Sequence, residues 1–158
     1  MSKKAIFPGT FDPFTNGHLD IVNRGLKMFD EIVVAIGVHS GKNHLFTLEQ
    51  RTVWLEELFV HDPRVSVIHY EGLTAPFAES IGAQFILRGL RTTQDFTSEQ
   101  QIAYVNEDLT EAVQSVFVMS DQKNASVSST IVRDIIRYKG AYQKYLPQPI
   151  YKAIEARS

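Results

Sequence analysis

KAIFPGTFDPFTNGHLDIVNRGLKMFDEIVVAIGV, residues 4–38, is the stretch on which the fold turns. It opens on KAIF (4–7), a short apolar run that reads as a strand. From Gly17 to Met28 the spacing changes. Leu19, Val22, Leu26 and Phe29 fall three and four apart, which lays one apolar stripe along a helix. EIVVAIGV (31–38) is β-branched and almost unbroken in apolar character, as expected of a strand covered on both faces. Strand, helix and doubly covered strand make a βαβ unit, whose two strands run parallel.

The same alternation continues to the C-terminal end. Thr47 and Gln50 form a capping-box pair ahead of LEQRTVWLEELFV (48–60), where Leu48, Thr52, Leu55 and Phe59 share a stripe. VSVIHY (65–70) reads as the third strand, APFAESIG (75–82) as a short helix stopped by Gly82, and QFILR (84–88) as the fourth strand. A helix follows from Asp95 to Asn106, then QSVFVM (114–119) as the fifth strand. Ser128 or Ser129 caps a helix running to Tyr138 and closed by Gly140; LPQPIYKAIEA (146–156) is a loop and a final short helix. Five βα repeats imply an α/β fold with a doubly wound five-stranded parallel sheet, in a single domain over 1–158.

Composition narrows the classes. The chain has no cysteine, so disulfides, thiolate metal sites and cysteine nucleophiles are excluded, and a reducing compartment fits. The start, MSKKAIFPG, has too short an apolar run for a signal peptide, and no stretch approaches a membrane span, so a cytoplasmic location is expected. A net charge of −2 gives no basic field for nucleic acid. An anionic ligand therefore has to be met by locally placed cations.

In a doubly wound sheet, ligands bind beyond the carboxyl ends of the strands. The segments there carry the polar chemistry. Pro8, Gly9 and Pro13 shape a tight loop after the first strand, and Thr15-Asn16-Gly17-His18 leads it into a helix. A helix start presents free N–H groups and the positive end of a dipole to an anion, so Gly17 and His18 read as a phosphate site, with a hydroxyl from Thr10. Asp12 reads as an acceptor of loop N–H groups. Lys42 follows the second strand, either as an exposed loop lysine or as a phosphate ligand. The Gly37-to-Lys42 segment fails the P-loop pattern, because three residues separate its glycines and Asn43 follows the lysine. Arg88 and Arg91 flank a glycine at the end of the fourth strand; they bind phosphate as paired forks, or else form salt bridges to Asp95 or Glu99. Ser126, Ser128, Ser129 and Thr130 stack hydroxyls at a late helix start, with Arg133 one turn on. No HExxH, GxSxG or GxGxxG occurs.

PGTFDPFTNGH (8–18), RGLR (88–91), SVSST (126–130) and YLP (145–147) together resemble the bacterial phosphopantetheine adenylyltransferases, nearly end to end and with Lys42 and FTLEQR in place. The resemblance implies a Rossmann-like nucleotidyltransferase that moves the adenylyl group of ATP to 4′-phosphopantetheine by direct in-line attack. By that resemblance Thr10 and Lys42 hold the acceptor phosphate, Arg88 and Thr74 line the acceptor, and His18 steadies the transition state with Thr10, Lys42 and Arg91. Phe11, Gly89, Leu90, Arg91, Glu99 and the 124–130 loop (Asn124, Ala125, Ser126, Val127, Ser128, Ser129 and Thr130) hold ATP. It also implies Mg²⁺ delivered with ATP, a homohexamer, and coenzyme A as a feedback inhibitor. The chain departs from the family pattern at Ser98, at Asn124-Ala125-Ser126, at Thr130 and at Thr74. SSTIVR (128–133) also fits the Ser-Ser-Thr-x-x-Arg pattern of nicotinamide mononucleotide adenylyltransferases, the nearest rival. A nucleotide-binding α/β domain without catalysis is the alternative from a different class.

Overall fold

The computed structural model describes residues 1–157. Five parallel strands form one sheet: β1 (Lys4–Gly9), β2 (Glu31–Gly37), β3 (Val65–Tyr70), β4 (Phe85–Leu90) and β5 (Gln114–Met119). Their order is β3-β2-β1-β4-β5, so the chain steps outward through β2 and β3 and then crosses back to the other side of β1. The strand order reverses between β1 and β4, which is where a doubly wound sheet opens a crevice.

Among the described residues six α-helices connect and close the sheet: α1 (Asn16–Gly25), α2 (Leu48–Phe59), α3 (Thr74–Ser80), α4 (Thr93–Leu109), α5 (Ser129–Arg137) and α6 (Gln148–Ala156). Alternate strand residues divide between two cores. Ala5, Phe7, Val34, Ile36 and Leu87 join the larger, with Phe14, Val22, Leu55 and Ile150 from the connecting segments. Ile6, Ala35 and Ile86 point the other way and meet Tyr70, Ala75 and Ala78. This period of two is what a strand covered on both faces requires.

Three boundaries differ from the sequence reading in ways that matter for the site. β1 extends through Pro8 and Gly9, which pair with Ala35 and Ile36 of β2, so these two residues belong to the sheet and not to the loop. β4 extends to Leu90, placing Arg88 and Gly89 inside the strand with Arg91 as the first residue beyond it. α4 starts two residues earlier than expected, because Thr92 and Asp95 form a reciprocal cap. Gly89 permits a close approach: a Cβ there would stand 2.7 Å from Ile21 Cγ1, so α1 lies almost directly on β4.

Candidate active site

The helix start after β1 is built by a reciprocal cap. Thr15 Oγ1 accepts from the His18 amide (3.4 Å), and the Thr15 amide donates to His18 Nδ1 (2.9 Å). A ring nitrogen that accepts an N–H holds no proton, so the neutral imidazole carries its proton on Nε2. The rings of Phe11 and Phe14 lie 5.1 and 5.2 Å from the imidazole. Burial against this apolar wall, and then the charges of Arg91 and Arg88, push the His18 pKa from 6.5 down to about 3. His18 is therefore a neutral N–H donor at pH 7.

The loop that precedes it is pinned from several sides. Asp12 is fully buried, and its carboxylate accepts the amides of Leu45 (2.8 Å) and Phe46 (2.9 Å) from the loop before α2. Arg51 donates to the Thr10 carbonyl at 2.7 Å and Arg133 to the Asp12 carbonyl at 2.8 Å. Ser129 Oγ donates to the Pro13 carbonyl at 2.8 Å. The Asp12–Pro13 peptide is cis, and Phe11 sits in the left-handed region at φ 52°. Asp12 acts as the acceptor of loop N–H groups that its type suggested, with donors from a different loop.

Within β4, Arg88 donates through Nε (2.7 Å) and NH2 (2.6 Å) to the two Glu99 oxygens, and through NH1 to the Pro8 carbonyl (2.9 Å). The salt bridge, an alternative in the sequence, is therefore realised for Arg88. It occupies both carboxylate oxygens and three of the five N–H groups a guanidinium carries. Arg91 is held more loosely, with NH1 on the Val127 carbonyl at 3.0 Å and Nε 3.4 Å from Asp95. Ser128, not Ser129, caps α5, accepting from the Ile131 amide at 3.2 Å.

These pieces meet around one cavity of about 250 Å³. Gly17 and His18 at the start of α1, Arg88 and Gly89 from β4, Arg91 just beyond it, Glu99 from α4, Phe11, and Val127, Ser128 and Ser129 at the start of α5 all line it. Two helix N-termini, a neutral imidazole N–H and two guanidinium groups thus border a single space, an arrangement suited to a polyphosphate.

The family model described as "Cytidylyltransferase-like" matches residues 6–135. The phosphopantetheine adenylyltransferase of Flavobacterium johnsoniae is 48% identical over 148 residues, covering 94% of this chain and 97% of that protein. The proteins of the same name from Flavobacterium psychrophilum and Christiangramia forsetii are 46% and 44% identical, over 94% and 95% of this chain and 97% and 99% of their own lengths. The chain belongs to the phosphopantetheine adenylyltransferase family.

Not every residue that the family resemblance points to reaches the cavity wall. Thr10, Lys42, Thr74, Leu90, Asn124, Ala125, Ser126 and Thr130 lie outside it. The reasons are local. Leu90 turns a buried side chain into the core. Asn124 is buried beside the start of α1, where a Cβ on Gly17 would meet the Asn124 Cβ at an ordinary 3.9 Å. Thr130 Oγ1 accepts from Arg133 at 3.1 Å. Thr74 Oγ1 pairs with the Tyr70 hydroxyl at 2.8 Å and faces a groove along α4 with Ile102 and Val105. Lys42 is exposed on the loop after β2. The sequence reading in turn passed over Ile21 and Ser120, which line the cavity, and treated Asp95 only as a partner for Arg91. The Thr92–Asp95 spacing was the available signal for Asp95, as a Ser/Thr-x-x-Asp/Glu cap. For Ser120 the signal was its place directly after the fifth strand, 114–119.

Proposed function

We propose that this cavity transfers the adenylyl group of ATP to 4′-phosphopantetheine, giving dephospho-coenzyme A and pyrophosphate. An acceptor phosphate oxygen attacks the α-phosphorus, the bond from that phosphorus to the bridging oxygen breaks, and pyrophosphate leaves with the electron pair. The acceptor is already an anion, so the reaction needs no strong base and no covalent enzyme intermediate. Its barrier comes from bringing two anions into line and from charge gathering on the phosphoryl oxygens. The observation that carries the reading is the convergence of the His18 imidazole, Arg91 and two helix N-termini on one cavity. A neutral Nε2–H adds a donor to the transition state without a proton to lose.

Thr10 and Lys42 hold and orient the acceptor phosphate in this reading, and Arg88 and Thr74 line the acceptor. The Phe11 backbone, the 89–91 segment, Glu99 and the 124–130 loop hold ATP. Magnesium enters as part of the nucleotide substrate. Coenzyme A, which shares the product's chemistry, occupies the same cavity as a feedback inhibitor.

The assembly is a homohexamer in the cytoplasm. Exposed Leu73, Ile102, Val105 and Leu109 border the groove beside α4, and such an apolar strip supports self-association. Sedimentation at six times the chain mass is the expected result. Among the described residues no helix is long and apolar enough to cross a membrane.

The deciding experiment measures pyrophosphate release from ATP with 4′-phosphopantetheine or nicotinamide mononucleotide as acceptor. Release with phosphopantetheine alone is expected. Release only with nicotinamide mononucleotide reassigns the acceptor, and ATP binding without release in either case reduces the site to a sensor.

A further inference from the structure

Ser120 is the first residue after β5, and its backbone is pinned on both sides. Its amide donates to the Leu90 carbonyl of β4 at 2.9 Å. The next amide, of Asp121, donates to Asp20 Oδ2 of α1 at 2.8 Å, and Asp20 is itself gripped by Arg24 Nε at 3.0 Å. Residue 120 is thus fixed between the strand that carries Arg88 and the helix that carries His18. It lines the cavity, yet its Oγ is shut from solvent and has no hydrogen-bond partner among the described residues. Buried hydroxyls nearly always find partners, because leaving one bare costs free energy. Of the carboxylates that line the cavity, Asp95 accepts the Arg91 and Thr92 amides, and Glu99 takes the Arg88 fork.

Position then selects the partner. β5 lies two strands from β1, which is about 10 Å across the sheet. The phosphate-binding groups His18 and the α1 N-terminus follow directly on β1. A nucleotide with its phosphates there, laid across β4, brings its sugar and base towards β5. Ile21 and Val127 line the same cavity and offer apolar surfaces of the kind that receives a base.

We infer that the Ser120 hydroxyl is a hydrogen-bonding contact for the nucleoside half of ATP. This rests on the adenylyl-transfer reading of the cavity. A serine hydroxyl both donates and accepts, and it reorients by rotation about one bond, so it can meet either a ribose hydroxyl or the exocyclic amino group of adenine.

The test compares the wild-type chain, Ser120→Ala and Ser120→Thr with ATP, 2′-deoxyATP, 3′-deoxyATP and purine riboside triphosphate. Ser120→Ala is expected to raise the KM for ATP about tenfold, with kcat within about twofold and an undiminished melting temperature. Ser120→Thr restores part of the loss. With the one analogue that lacks the group Ser120 reads, wild type and Ser120→Ala have equal KM values. A deoxy analogue in that role assigns the contact to the sugar, the purine riboside to the base. An unchanged KM for ATP in Ser120→Ala, or the same rise with every nucleotide, overturns the inference. Calorimetric ATP affinities read the same contact without turnover. Failure of the wild type to release pyrophosphate therefore counts against the reaction, and an indifferent Ser120→Ala counts against this contact alone.

Discussion

Two loops leave neighbouring strands at the same edge of the sheet and are built on opposite plans. The one after β1, residues 10–15, is largely buried; its carbonyls at Thr10, Asp12 and Pro13 each accept from a side chain in α2 or α5. In the loop after β2, residues 39–43 are exposed, and among the described residues they make no hydrogen bond. Gly41 there stands at φ 90° with open space around it. One loop is set before any ligand arrives, and the other is free to adapt. The difference matches the two substrates in the proposed reaction. Charge that builds on a reacting phosphorus is best met by donors that need no rearrangement, whereas a long acceptor has to enter before it can be held.

The largest effect should come from the rigid side. His18→Ala is expected to lower kcat at least a hundredfold, about 3 kcal/mol of transition-state stabilisation, while circular dichroism still reports a folded chain and stability falls by about 1–3 kcal/mol for the Thr15 amide left without its acceptor. Loss confined to KM would mean that the pre-set loop only binds.

Asp12→Ala tests whether the two loops are joined. It strips the acceptor from the buried amides of Leu45 and Phe46, so a loss of about 2–3 kcal/mol in urea denaturation is expected. A melt indistinguishable from wild type would show the loops to be independent.

The third probe is pH. With a folded pKa of about 3 against 6.5, His18 refuses a proton that the unfolded chain accepts. Its contribution leaves stability untouched above pH 6.5 and lowers it progressively as pH falls towards 3. By pH 5 the loss amounts to about 2 kcal/mol or less. His18→Gln should be less acid-sensitive than wild type between pH 7 and 5, and ring ¹⁵N shifts should report the Nε2–H tautomer throughout. Titration of His18 near 6.5 would remove the neutral donor from the mechanism.

The smallest effect belongs to the adaptable loop. Lys42→Ala should raise the KM for phosphopantetheine about tenfold and leave both the KM for ATP and the melting temperature unchanged. A fall in stability instead would show that the exposed loop is more firmly held than its hydrogen bonds indicate.

The alternation of strands and helices was legible because it rests on local periodicity, and the cap at Thr47 rests on a neighbour three residues away. The Asp12 tie was half legible. An aspartate in a Pro-rich loop is expected to accept N–H groups, but its donors come from 33 and 34 residues along the chain, a distance no local pattern reports. The Arg88–Glu99 fork was open between two readings because a strand end attracts phosphate and carboxylate alike. Ser120 was marked only by its place just after the fifth strand; its significance lies in a bond it does not make, and that is visible only once every neighbour has been placed.

Gly89 and Ile21 leave a last consequence, one that concerns descent more than chemistry. With 2.7 Å between a would-be methyl at 89 and the isoleucine stem, the two positions cannot drift separately. A lineage can enlarge residue 89 only after residue 21 has shrunk, and the reverse sequence of steps meets a collision first. Such a pair works as a ratchet on mutational paths, so the order of changes governs which variants of this site can be reached.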